Sequence, residues 1–214
     1  MKALMHTKTV KEFIDYYKDL FKNEWRIIDL DDKERYELVK EKQYFIDLQD
    51  KYKSNVKNYL QGKQVISWLD SLTIMKRIMD NLMSYGLDEI NVISEFIIPY
   101  SKDKRPDYLI CFKNTILIIE MSYLKNKSYA HNNYNDKLTQ LLHYESLIKN
   151  LVDQKIKTIT YVIDYLPEYT FDIKTNLENN QSKNSEHIIK VCDLINRLFK
   201  IDTTAIEEIE KIEV

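Results

Sequence analysis

After Gly86 the spacing of apolar residues changes from a helical period to a strand period, and this change restricts the architectures open to the chain. Between residues 64 and 84, Val65, Trp68, Leu69, Leu72, Met75, Met79, Leu82 and Met83 fall three and four apart, which predicts a helix with one buried face. Beyond Gly86, residues 90–100 (INVISEFIIPY), 105–114 (RPDYLICFKN) and 115–124 (TILIIEMSYL) are rich in β-branched and aromatic residues. Polar turns separate them, so they read as three strands in a meander. Helical spacing returns over 134–151, where Leu138, Leu141, Leu142, Leu147, Ile148 and Leu151 mark the buried side. Residues 157–166 then form a further apolar strand ahead of Pro167. Strand, helix, strand in succession implies a crossover connection. The order helix, three strands, helix, strand therefore predicts an α/β unit with a mixed central sheet flanked by helices.

The flanking regions are read the same way. Residues 8–22 form an amphipathic helix, and residues 31–61 a longer one whose start Asp31 or Asp32 can cap. Leu38, Phe45, Tyr52 and Tyr59 recur every seven residues, with Val56 on the same stripe, as expected of a helix lying on a core or on another helix. Gly62 and Gly86 are the chain's two glycines, and each follows a helical pattern where a left-handed cap is needed. Residues 174–185 read as a polar loop, 185–200 as a last long helix, and TAIEEIEKIEV as a short acidic helix or tail. The division expected is a helical extension over 1–63, a core over 64–166, and a loop with helices packing on the core over 167–214.

Composition excludes several classes. Hydrophobic residues make up 44% and charged residues 31%, a balance that argues against disorder. The formal net charge of −2 means that any nucleic-acid site must rest on a local patch. Two cysteines, Cys111 and Cys192, lack metal-ligand spacing and suit a reducing cytoplasm. The N-terminal MKALMHTKTVKEF has no long apolar run, so no secretory leader is expected, and no stretch is long enough for a membrane span. With two glycines there is no glycine-rich phosphate loop, and neither GxSxG nor HExxH occurs.

The residues that stand out chemically are acids inside apolar strands. Asp107 opens the second strand and Glu120 lies late in the third. A hairpin turning near Lys113–Asn114 brings the two opposite each other. An acid among residues such as Leu109, Ile110, Ile118 and Ile119 is costly unless a cation or hydrogen bond compensates it. Two carboxylates at one end of a sheet suit Mg²⁺ (or Mn²⁺), an ion that takes oxygen ligands and keeps several waters. Such an ion can bind a phosphodiester, activate water and stabilise the leaving oxygen. Glu95, in the preceding strand, is a candidate further acid of the same site.

Pro106-Asp107 followed by Glu120-Met121-Ser122 resembles the motif of the PD-(D/E)XK, or restriction-endonuclease-like, nucleases. Gln140 and Tyr144, in QLLHY, are similar to the QxxxY motif of the RecB-type members and lie in the corresponding helix. The resemblance covers about half the chain. It implies a metal-dependent nuclease core in which Asp107 and Glu120 hold the ion. Family members often take another acid from the first core helix, so Asp70 or Asp80 could serve in place of Glu95, and the sequence does not choose between them. The family's lysine, two residues after the glutamate, is replaced here by Ser122, which cannot supply its positive charge. Some members recruit that lysine from the following helix, so Lys137, one turn before Gln140, is the expected replacement, with Lys125 next. Gln140 and Tyr144 would share a helix face and orient the substrate backbone or the residues behind the site.

Local charge adds to this. Residues 101–137 hold seven basic residues and four acids in a chain that is acidic overall. Arg105, Lys125 and Lys127, with tyrosines interleaved, are the expected contacts to DNA phosphates and bases. The sequence thus leads to a nuclease acting on DNA. The alternative is a catalytically silent relative that binds nucleic acid or a protein partner, for instance in conflict between phage and bacteria, and Ser122 and the low net charge speak for it. The N-terminal stripe also suits a homodimer contact.

Overall fold

A computed structural model describes residues 2–18, 30–56, 62–102, 104–123, 130–165, 178–199 and 205–212. The elements run β1 (Met5–Thr7), α1 (Val10–Tyr16), α2 (Asp32–Val39), α3 (Gln43–Val56), α4 (Gly62–Ser84), β2 (Asn91–Ser94), β3 (Tyr108–Phe112), β4 (Thr115–Tyr123), α5 (Ala130–Lys149), β5 (Lys157–Tyr165), α6 (Glu178–Leu198) and α7 (Ala205–Glu210). The expected order of helix, three strands, helix and strand is present as α4, β2–β4, α5 and β5. The five strands form one sheet in the order β1-β2-β3-β4-β5. The first three pairings are antiparallel, and β4 and β5 are parallel, joined across α5.

Alternation along the strands divides the core into two layers. Val92, Tyr108, Ile110, Leu117, Ile119 and Ile163 face α4, the N-terminal helices and α6. Ile93, Leu109, Cys111, Ile116, Ile118 and Val162 face α5 and α7. All of β3 is buried, because helices cover both faces of the central strands. Each such aliphatic side chain contributes roughly 1.5–3 kcal/mol relative to exposure. Among the described residues no helix is long and apolar enough to cross a membrane.

Several local expectations change. The N-terminal region supplies the edge strand β1, paired through Met5–Thr7 with Ser94–Val92, so it is built into the sheet. Phe13, Val39, Phe45 and Tyr52 join the layer beneath α4, and the heptad stripe's Phe45 and Tyr52 are buried within this chain. The long helix expected over 31–61 is two helices, α2 and α3, separated at residues 40–42. Asp31 caps the first: its side chain accepts from the amides of Lys33 and Glu34, and Glu34 reciprocates to the Asp31 amide. The first expected helix, over 8–22, is shorter, running from Val10 to Tyr16 with Tyr17 and Lys18 in a turn, and residues 19–29 lie outside the described residues, as does Tyr59.

Gly62 is the first residue of α4, and the five residues before it lie outside the described residues, whereas Gly86 caps as expected. Its φ of +75° lets the Gly86 amide reach Met83 O and the Leu87 amide reach Leu82 O, which closes α4. Met83, expected on the buried face, is 38% exposed. Helix α6 begins at Glu178, inside the stretch read as a loop, because a polar run carries no apolar period to betray a helix. The acidic C-terminal segment forms α7, whose Ile209 is buried against the α5 layer. The strand expected over 90–100 stops at Ser94, where Glu95 enters the left-handed region at φ 51°.

Candidate active site

The hairpin sets the site. Phe112 pairs with Thr115 across the two-residue turn Lys113–Asn114, and Tyr108 pairs with Ile119. One step further along this register Asp107 stands opposite Glu120. The two residues lock each other: the Asp107 amide donates to Glu120 Oε1 at 3.1 Å, and the Met121 amide donates to Asp107 Oδ2 at 2.7 Å. Glu120 has the parity of Ile116 and Ile118, so it faces α5 and is 1% exposed.

Helix α5 delivers the expected cation. Lys137 Nζ lies 2.7 Å from Glu120 Oε2. Gln140 Nε2 donates to the Tyr144 hydroxyl on the same helix. Lys137, Gln140 and Tyr144 are three and four apart, so they share one side of α5. Tyr144 is buried in the core layer, which anchors that side against the sheet.

The backbone turn at Glu95 adds a second cluster. Its amide donates to Asp107 O at 3.0 Å, which keeps it beside the site. Its carboxylate is held by Arg105 Nε at 3.0 Å and accepts from the Tyr52 hydroxyl at 3.4 Å. The Arg105 guanidinium also lies over the Tyr52 ring. Glu95 is thus committed to Arg105 and Tyr52 rather than added to the Asp107/Glu120 pair.

The other acids considered for the site are engaged elsewhere. Asp70 is fully buried and holds Arg35 of α2 at 2.5 Å, and Asp80 is half-exposed with Lys76. Lys125 and Lys127 lie outside the described residues. Tyr52 was missed as a site residue because its heptad spacing gave a sufficient packing explanation. Asp164, in YVIDY of β5, was also missed, although an acid inside an apolar strand is the signal that singled out Glu120.

Electrostatically the site is short of positive charge. Glu95, Asp107 and Glu120 face Arg105 and Lys137, so full ionisation leaves a negative charge uncompensated among the described residues. Burial, then the charge of Asp107, pushes the Glu120 carboxyl up to about 8, against the opposing pull of Lys137. Burial and Asp107 likewise raise Glu95 to about 7. Asp107 is raised by burial, with Lys137, the Met121 amide and Arg105 working against the rise. Burial disfavours the Lys137 ammonium, but the charges of Asp107 and Glu120 outweigh it and keep the group protonated.

This donor set fits a hard divalent cation. Asp107 Oδ1 has no hydrogen-bond partner among the described residues, and it sits beside a second carboxylate. Among the described residues no three His, Cys, Asp or Glu side chains are grouped to hold an ion, so the protein ligands would be the pair Asp107 and Glu120. Mg²⁺ commonly binds through one or two carboxylates and retains water elsewhere. Comparison with protein-family models, curated proteins and solved structures finds no match to this chain.

Proposed function

We propose that the chain is a divalent-metal-dependent nuclease that hydrolyses phosphodiester bonds of DNA. The observation that carries this reading is the meeting of Lys137 with the Asp107/Glu120 pair at one end of the β3–β4 hairpin. Mg²⁺ or Mn²⁺ held by Asp107 and Glu120 would supply Lewis acidity toward a phosphate oxygen and the activation of water. Lys137 contributes a fixed positive charge where a phosphate would dock, and supplies the ammonium that Ser122 cannot. Gln140 and Tyr144 hold the α5 face that aims Lys137. Arg105, 22% exposed at its side chain and fixed by Glu95 and Tyr52, is a preorganised phosphate contact.

A second reading rests on the same ion pair. Lys137 occupies Glu120 Oε2, one of the oxygens an ion would use. A chain in which that pair persists would be a silent nuclease fold that binds nucleic acid or a protein partner, as between phage and bacteria. Calorimetric titration with Mg²⁺ and Mn²⁺, wild type against Asp107→Ala, separates the two. The enzyme reading expects uptake that Asp107→Ala abolishes, together with cleavage of linear or single-stranded DNA. No uptake at millimolar metal would leave the silent relative.

A further inference from the structure

Two buried oxygens beside the site have no partner among the described residues. Ser122 Oγ and Asp164 Oδ1 are both buried, and neither makes a hydrogen bond to a described residue. The two residues are Cα partners in the parallel β4/β5 register. Ser122 follows Glu120 by two residues, and Asp164 follows Val162 by two, so alternation places both on the α5 face. They lie one strand step beyond the Glu120/Lys137 pair. Ser122 itself is 1% exposed.

A bare buried polar atom loses its hydration without replacement, and native chains satisfy nearly all such atoms. Two such atoms, side by side on neighbouring strands, can be satisfied by one small group. Asp164 Oδ1 can only accept, whereas Ser122 Oγ can donate or accept. The missing partner must therefore donate at least one hydrogen bond and fit between adjacent strands, which are about 4.8 Å apart. A water molecule meets both conditions.

We propose that Ser122 and Asp164 form a polar notch that holds a water molecule next to Glu120, and that this water is the one consumed in hydrolysis. The second half rests on the nuclease reading. In the reaction the water oxygen forms the new bond to phosphorus and the bond to the leaving ester oxygen breaks. One water proton is lost to solvent, and the leaving oxygen gains one from solvent. Ser122 and Asp164 act here as positioning residues.

The first test needs no substrate. Thermal unfolding of Ser122→Ala and Asp164→Asn is compared with wild type in chelator. If the notch holds water, Ser122→Ala removes an anchored hydrogen bond and Tm falls by about 2–4 °C. Combined with Asp164→Asn it then adds less than the sum of the singles. If the oxygens are bare, deleting the Ser122 hydroxyl relieves an unsatisfied group, and an unchanged or raised Tm overturns the notch. The second test is steady-state cleavage of linear DNA in Mg²⁺. Both variants should lower kcat about tenfold while KM and the calorimetric Mg²⁺ affinity stay at the wild-type values. Unchanged kcat in a protein whose cleavage Asp107→Ala abolishes would overturn the reactive role and leave the nuclease reading standing. A wild type that cleaves nothing would overturn the nuclease reading and with it the reactive role, and the unfolding comparison would still decide the notch.

Discussion

Lowering the pH from 8 to 6 in the presence of chelator should stabilise this protein. Glu120 is 1% exposed, and its carboxyl is pushed up to about 8 from an ordinary 4.5. The folded chain therefore binds that proton more tightly than the unfolded chain does. Stability from this group is fully present below the unfolded value and is lost as pH rises through about 8. Integrating the proton linkage between pH 6 and pH 8 gives about 2 kcal/mol for Glu120 alone. Glu95, raised to about 7 by burial and by Asp107, adds in the same direction, although the two are coupled through Asp107 and do not simply sum. For a chain of this size the Tm at pH 6 should exceed that at pH 8 by roughly 4–8 °C. Urea unfolding at matched ionic strength provides the free energies, with Glu120→Gln as control. That variant should keep only the smaller slope from Glu95. A wild-type stability that is flat or rising between pH 6 and 8 would refute the argument, as would a Glu120→Gln slope equal to that of wild type. On the metal-dependent reading, saturating Mg²⁺ should reverse the trend, since an ion would favour the ionised pair, with a gain of about 3 kcal/mol at a hundredfold excess over Kd.

On the proposed nuclease reading, Lys137→Ala should lower kcat for DNA cleavage by about 10²–10³-fold, while Lys137→Arg, which keeps the charge, should retain more activity; steady-state kinetics at saturating Mg²⁺ provide the check. Asp70→Ala removes the 2.5 Å partner of the Arg35 guanidinium, which is 3% exposed, so urea unfolding should show a loss of roughly 3–5 kcal/mol. Replacing both partners with apolar residues (Arg35→Met with Asp70→Leu) should recover most of it. Gly86→Ala meets no atom within 4 Å, so its cost is conformational alone, about 1–2 kcal/mol from the positive φ, measurable by the same method.

Much of the architecture was legible because it repeats locally. The apolar periods of α4 and α5, and the runs that became β3, β4 and β5, each repeat over several residues, so neighbours in sequence reinforce one another. The pairing of Asp107 with Glu120 was legible for a different reason. A two-residue turn at Lys113–Asn114 fixes the register, and the register fixes which side chains meet. What failed were elements too short or too polar to repeat: the three-residue strand β1, the polar first turns of α6, and the break between α2 and α3.

The sequence by itself determined the order of the core elements from α4 to β5, the α/β class and the placing of two acids at one end of a hairpin, since periodicity and turn length act over short stretches of chain. Only the tertiary structure decided which acids share which cations. Lys137, expected at the acids, settles on Glu120, Arg105 turns to Glu95 with its guanidinium over the Tyr52 ring, and Asp70 is drawn to Arg35 thirty-five residues away. Such pairings depend on how helices seat on the sheet, and buried charges take whichever partners that packing brings within a few ångströms.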